Sequence, residues 1–261
     1  MSLRAWALAA ILAAILWFNL LQDGSAGAFA QRSLDLVDPR PARSILIIGN
    51  SRTFFNDMPK MLRKIADSAG SETKFQIETN AKPGFTFERH WRDGRTRRLL
   101  GEGWDDVILQ GASGELSDEP AKESFLSHGK KLAGIAKVNG GVPRLVVNWT
   151  YDPTLYQYSA DRTRHLEKIV SGHVELAQQT GMRRINLAGL WEAVRLSHPA
   201  IKLTTDGNHP TLAGSYLYAL AIYAHLSNGP ARDVTFVPDG LDPSHAEALR
   251  QTVDGYPLLL S

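Results

Sequence analysis

The chain of 261 residues contains no cysteine. That excludes a disulfide framework, a thiolate nucleophile, a lipidated cysteine and any zinc site built on sulfur. An excess of charge of one sign is lacking as well. The 29 Lys and Arg against 27 Asp and Glu leave a formal charge of +2, too little for the dense basic face that nucleic acid requires. No nucleic-acid partner is therefore expected. There is no His-Glu-x-x-His helix and no calcium loop, and the run Gly49-Asn50-Ser51-Arg52-Thr53 lacks the lysine of a phosphate-binding loop. Neither a cofactor nor a metal is expected. Internal repeats and low-complexity tracts are absent too.

What is present begins with an export signal. Arg4 supplies a positive start, Ala5 to Phe18 is almost wholly apolar, and Ala28-Phe29-Ala30 fits a small-residue cleavage site. Cleavage there leaves a chain starting at Gln31. The alternative is an uncleaved anchor over residues 1–22, because the apolar stretch runs on through Leu20 and Leu21 and approaches the ~20 residues of a spanning helix. Either way the folded part is expected outside the cytoplasm, periplasmic or secreted, with the membrane touched only through this segment. Residues 31–43 are polar, carry Pro39 and Pro41, and read as a linker. Residues 44–261 are of a size for one domain with a sizeable core.

Within that domain, strand and helix patterns alternate. Ser44 to Ile48 is a continuous apolar run of the sort buried on both faces of a sheet, and Gly49 ends it. A helix follows, with Asn56 or Asp57 as cap, Pro59 in the first turn and an apolar stripe of Met58, Met61, Leu62, Ile65, Ala66 and Ala69. Strands are expected over Lys74 to Glu78, Asp106 to Gln110, Arg144 to Trp149 and Arg184 to Leu187. Helices are expected over Pro120 to Asn139, Ala160 to Thr180 and Leu212 to Leu226. This order implies an α/β fold, a three-layer α/β/α sandwich with a mostly parallel sheet of roughly five strands. Ligands in such folds bind outside the carboxyl ends of the strands.

That rule directs attention to Ser51, on the turn after the first strand, where backbone N–H groups and a helix N-terminus favour developing negative charge. Gly-Asn-Ser is also ordinary turn chemistry. Its candidate base is His209 in Asp206-Gly207-Asn208-His209-Pro210, just before the Leu212 to Leu226 helix. The three-residue spacing lets Asp206 accept a hydrogen bond from one ring nitrogen while the other takes the serine proton. A local turn with His209 merely exposed is the plainer reading of this motif by itself.

Taken together, these blocks resemble the SGNH (GDSL) hydrolase superfamily from about Ser44 to Asn228. The resemblance rests on Ile48-Gly49-Asn50-Ser51-Arg52-Thr53, Asn56-Asp57-Met58-Pro59, and Asp206-x-x-His209-Pro210 with Gly214-Ser215-Tyr216, and it points to a poorly characterised branch. It implies a flavodoxin-like fold with Ser51 as nucleophile, Asp206 and His209 as acid and base, and an oxyanion hole formed by the Ser51 N–H with Gly84. Two positions depart from the pattern. Asn50 stands where aspartate is commoner, and Gln110 stands where the third block presents asparagine. Gln110 offers the same amide donor on a longer stem; the alternatives are a residue bonding the neighbouring loop, with Ser113 or a backbone N–H as donor.

His90, Trp91 and Trp149 are expected to line the substrate pocket, with core packing the alternative for Trp91, and Tyr151, Tyr156 and Tyr158 to lie near its rim. Arg89, Arg92, Arg95, Arg97 and Arg98 either attract an anionic substrate or form a solvated helix face. The resemblance implies a serine ester hydrolase acting on a small-molecule or carbohydrate ester. An acyltransferase with the same three residues and a non-catalytic binding module of the same fold are the alternatives.

Overall fold

The computed structural model describes residues 38–152 and 162–257. The export segment, Tyr156 and Tyr158 lie outside those residues. The chain divides into a unit ending at Pro41, in which Arg40 pairs with Asp38 at 2.6 Å, and a unit from Ala42 onward that carries all elements described below.

β1 (Ala42–Gly49) starts two residues before the expected domain boundary. Ala42 and Arg43 belong to the sheet rather than to a linker, since they pair with Lys74 and Phe75 of β2 (Lys74–Ala81). β3 (Asp106–Leu109), β4 (Val142–Val146) and β5 (Arg183–Ile185) complete a sheet of five strands in the order β2-β1-β3-β4-β5, every neighbouring pair parallel. This is the flavodoxin-like order. The chain reverses its direction of winding between β1 and β3, so the crevice where such folds bind ligands opens at the end of β1. Gly49 and Ser51 sit there.

The side-chain period of a strand explains the two cores. Ile45 and Ile47 of β1 face one way, onto α2 (Met58–Ser68), α8 (Leu212–Ser227) and α9 (Pro243–Gly255). Leu46 and Ile48 face the other way, onto α3 (Phe87–Arg92), α4 (Gly94–Leu100), α5 (Glu119–Val138) and α6 (Arg162–Thr180). All four residues are fully buried. α8 is apolar around its circumference because it is covered on all sides, with Ala213 through Tyr223 buried. α7 (Leu187–Ser197) and α9 lie in stretches where no helix was expected, while the short helices α3 and α4 carry the arginine run that the sequence offered as a helix face. Nor do Asn56 and Asp57 cap α2 with their side chains: both adopt left-handed backbone, at φ 53° and 51°.

At the amino ends of the strands a buried ion cluster fixes their register. Asp106 is 1 % exposed and accepts from Arg43 Nε at 2.6 Å and from Arg144 Nε at 2.8 Å, so one carboxylate joins β1, β3 and β4. Arg144 Nη1 lies 3.1 Å from His225 Nε2 of α8, and Arg43 Nη1 donates to the Leu226 carbonyl. Asp106→Ala leaves both guanidinium groups without their carboxylate and is expected to lower unfolding free energy by about 3–5 kcal/mol. A urea denaturation series reads this as a lower midpoint at unchanged slope; a loss below about 1 kcal/mol would instead mark a solvated pair.

Candidate active site

Ser51 opens α1 (Ser51–Phe54), so its N–H is one of the donors that a helix leaves without an intrahelical partner. Asn50 caps this helix, its Oδ1 accepting from the Arg52 N–H at 3.1 Å. The approach of α1 to the strand end is close: a Cβ on Gly49 would sit 2.2 Å from Thr53 Oγ1, which is why glycine stands there.

Asp206 and His209 lie in a tight turn between Thr204 and Pro210, which form an isolated antiparallel bridge. Asp206 Oδ1 accepts from the N–H groups of Asn208 (2.9 Å) and His209 (2.7 Å), and Gly207 takes the positive φ (81°) that the turn requires. Asp206 Oδ2 meets His209 Nδ1 at 2.6 Å, and His209 Nε2 meets Ser51 Oγ at 3.1 Å. A hydrogen-bonded relay thus runs from carboxylate through imidazole to hydroxyl across 158 residues of chain. With Nδ1–H donating to the carboxylate, Nε2 is left as the acceptor facing serine. Burial opposes ionisation of Asp206, but bonds from the His209 ring and from two backbone N–H groups outweigh it and bring the carboxyl down to about 2.

Arg52 ties the two halves of this relay together. Its side chain is buried, donates from Nε (3.0 Å) and Nη2 (2.8 Å) to Asn208 Oδ1 and from Nη1 to the Trp149 carbonyl (2.7 Å), and lies 4.2 Å over the Trp149 ring. Burial lowers the guanidinium to about 10, which leaves it charged at neutral pH. Trp149 Nε1 donates to the Asn208 carbonyl at 3.1 Å, and the Asp152 N–H to the Gly207 carbonyl at 2.7 Å. The residue next to Ser51 therefore grips the loop that carries His209. Neither Arg52 nor Asn208 was singled out in the sequence, because nothing in the run Gly-Asn-Ser-Arg-Thr marks an arginine as buried.

Gly84 lies in an exposed turn after β2, with φ 64°. The turn is fastened beside Ser51 by the Lys82 N–H to the Gly49 carbonyl (3.2 Å) and by Asn50 Nδ2 to the Phe85 carbonyl (3.3 Å), while Arg89 Nη1 holds the Gly84 carbonyl (3.0 Å). Asn50 Nδ2 also reaches the Gly111 carbonyl at 3.3 Å. Two carbonyl oxygens facing one side chain require a donor, and that accounts for asparagine where aspartate is commoner.

Three expected roles are corrected, those of Gln110, His90 and Trp149, and for Trp91 the core-packing alternative holds. Gln110 is fully buried; its Oε1 accepts from the Asn50 N–H (3.1 Å) and Thr53 Oγ1 (2.9 Å), and its Nε2 donates to the Gly111 carbonyl and to Asn148 Oδ1 (3.2 Å). Both amide hydrogens are thus engaged inside the protein, and Gln110 braces the turn of residues 49–51 rather than facing an oxyanion. The Ser113 side chain is not among those described. His90 is fully buried, with Nε2 donating to the Gly49 carbonyl (2.8 Å) and Nδ1 facing Thr96 Oγ1 (3.0 Å); burial takes it down to about 4, so it is a neutral brace and not a pocket residue. Trp149 is fully buried and stacked on Trp191 at 4.1 Å. Trp91 packs against the second core, with Arg97 and Lys131 over its ring. The neighbouring arginines are a solvated face, in which Arg92 pairs with Glu88, Arg95 with Glu78 and Arg98 with Glu102. Tyr151 stacks on His165.

Two residues without an expected role complete the surroundings. Glu115 is buried and accepts from the N–H groups of Phe87 (2.7 Å) and Ala112, linking the chain after Gly84 to the loop after β3; burial pushes its carboxyl up to about 8. Phe55 lies flat on the His209 ring. Among the described residues no three histidine or carboxylate side chains converge as a metal site requires.

Two outcomes follow from this geometry. Asn50→Asp replaces the donor with a carboxylate against two carbonyl oxygens and is expected to cost about 1–3 kcal/mol of stability, read as a lower thermal midpoint; an unchanged midpoint would overturn the reading of Asn50. Asp206 has a folded-state pKa below its unfolded value, so its contribution is fully present above about pH 4 and is lost as pH falls through about 2. The stability gap between the parent and Asp206→Asn is thus expected to close between those values, whereas a constant gap would assign the loss to packing.

No known family profile and no curated protein sequence matches the chain. Solved structures do. A DUF4886 family protein from Bacteroides uniformis superposes with a TM-score of 0.69 at 18 % identity, over 82 % of this chain and 94 % of that one. A protein assigned to the SGNH hydrolases from Slackia heliotrinireducens gives 0.61 at 23 % identity, over 72 % and 100 %. An acetyl xylan esterase gives 0.59 at 12 % identity, over 70 % and 99 %. With its sheet order and these superpositions, the chain has the fold of the SGNH/GDSL hydrolases.

Proposed function

We propose that this protein is a serine ester hydrolase working through an acyl-enzyme, with Ser51 as nucleophile, His209 as general base and then acid, and Asp206 holding the imidazole. The observation that carries the proposal is the unbroken relay from Asp206 to His209 (2.6 Å) and from His209 to Ser51 (3.1 Å) at the crevice of the sheet. Likeness in fold to an acetyl xylan esterase and to an SGNH hydrolase supports the same reaction class.

In the first half-reaction His209 Nε2 takes the Ser51 proton as Oγ attacks the ester carbonyl. The N–H groups of Ser51 and Gly84 are the donors assigned to the oxyanion, since the Gln110 amide is engaged elsewhere. The imidazolium, stabilised by ionised Asp206, returns the proton to the leaving alcohol. Water then repeats the sequence against the acyl-serine and releases the acid. Small acyl groups on a carbohydrate or another small alcohol are the substrate class proposed. Action outside the cytoplasm is proposed on the pattern of residues 1–30, a charged start, an apolar run and Ala28-Phe29-Ala30.

The decisive experiment uses the chain from Gln31 onward with short p-nitrophenyl esters, then acetylated sugars. Turnover by the parent and its fall by at least ~10³-fold in Ser51→Ala are expected, together with labelling of Ser51 by a fluorophosphonate. Absence of both turnover and labelling would leave a binding module of the same fold.

A further inference from the structure

The ring of Phe55 stacks on the imidazole of His209, with centroids 4.5 Å apart and planes 12° from parallel, and the ring of Phe54 lies 5.9 Å beyond it at 26°. Three rings thus form a file leading outward from the proposed base. Its outer member is open to water: Phe54 is 37 % exposed, one of four large apolar side chains so exposed among the described residues.

The backbone is constrained to hold it there. Asn56 and Asp57, directly after the pair, are consecutive non-glycine residues in left-handed conformation, an arrangement that persists only when the surroundings enforce it. Those surroundings belong to the acid–base side of the site. Asn56 Nδ2 donates to the Pro210 carbonyl (3.1 Å) and to Ser215 Oγ (2.9 Å), and Ser215 Oγ donates to the Phe55 carbonyl (3.2 Å). The turn of Gly84, by contrast, is fastened to Gly49 and Asn50. The turn of Gly84 and the aromatic file are therefore fastened to different elements, one to Gly49 and Asn50 and the other to Pro210 and Ser215.

Resting on the hydrolase reading, this arrangement decides which part of an ester meets the file. His209 must hand its proton to the leaving oxygen, so the alcohol portion lies by the imidazole edge while the carbonyl oxygen lies toward Gly84. We infer that Phe54 and Phe55 form a stacking platform for the alcohol portion of the substrate, and that this portion carries a ring with a flat apolar face, a pyranose or an aryl group. Aromatic faces reward flat partners over flexible chains, since the contact is made by one rigid surface on another.

The test compares kcat/KM of the parent, Phe54→Ala, Phe54→Leu and Phe54→Trp on acetates of one acyl group: phenyl acetate, acetylated methyl glucoside and ethyl acetate. Both the alanine and the leucine variants are expected to lower the ratio of ring to ethyl ester on the order of tenfold, chiefly through KM, and tryptophan is expected to restore it. A loss confined to phenyl acetate identifies an aryl alcohol, and one confined to the glucoside a sugar. Equal effects on all three acetates overturn the platform, and so does a shifted preference between ethyl acetate and ethyl butyrate, which would put Phe54 on the acyl side. If the parent shows no Ser51-dependent turnover, the hydrolase reading falls separately. Saturation-transfer NMR with phenol and methyl glucoside then decides the platform: a transfer signal that disappears in Phe54→Ala supports it, and a signal absent from the parent or retained in the variant overturns it.

Discussion

One carbonyl oxygen holds the candidate site together. Gly111 O, just past the end of β3, accepts from the side-chain amides of Asn50, Gln110 and Asn148, which follow β1, β3 and β4. Parallel strands lose their ladder at the carboxyl edge, and in such folds that edge is where ligands bind. A buried amide network takes over where the ladder stops. Its members are 4 % exposed or less, and each is bonded at both ends of its amide: Asn50 through Oδ1 to Arg52, Gln110 through Oε1 to Thr53, Asn148 through Oδ1 to Gln110. A network satisfied in this way is rigid, because any rotation strands a buried polar group.

From that anchor the two halves of the site are set independently. Asn50 reaches outward to the Phe85 carbonyl and fixes the turn of Gly84, while His90 braces the Gly49 carbonyl from behind. On the other side Arg52 carries the position of Ser51 to Asn208. A buried cation is costly, and Arg52 makes no ion pair among the described residues. Its compensation is the flat face of Trp149, the Trp149 carbonyl and the ionised Asp206 nearby. Trp149 in turn is held by Trp191, so the core of α7 reaches the acid–base loop through two stacked indoles. Positional accuracy at Ser51 is supplied by interior packing, and the loop itself needs only a short Asx turn to present His209.

The departures from the sequence reading share one cause. Gln110 was placed at the oxyanion because it stands at the third block of the resemblance, His90 because it follows Gly84 and Trp149 because it ends a strand, and each is buried instead. An amide pointed at a substrate and an amide pointed at a neighbouring loop are the same residue at the same spacing. Which of them it is depends on what lies opposite, and for Gln110 that is Thr53 and Asn148, 57 and 38 residues away in the chain. Phe55 escaped notice for the same reason: its partner His209 is on a different element. The helices α7 and α9 were not expected, although their buried residues keep a helical period, Leu187, Leu190, Trp191 and Val194 in one and Ala246, Leu249 and Val253 in the other.

The sequence by itself determined the alternating strands and helices and the parallel sheet, whereas Ser51, Asp206 and His209 were named through the resemblance of their blocks to a known family. The elements follow from local rules, apolar period and glycine at strand ends, while an acid and a histidine three residues apart read locally as an ordinary turn. Only the tertiary structure decided that β1 begins at Ala42, that Asn50 is needed as a donor, that Gln110 and His90 are braces, and that Arg52 joins Ser51 to the loop of His209. Each of these depends on burial and on a partner far along the chain, and neither is encoded in the residue or its immediate neighbours.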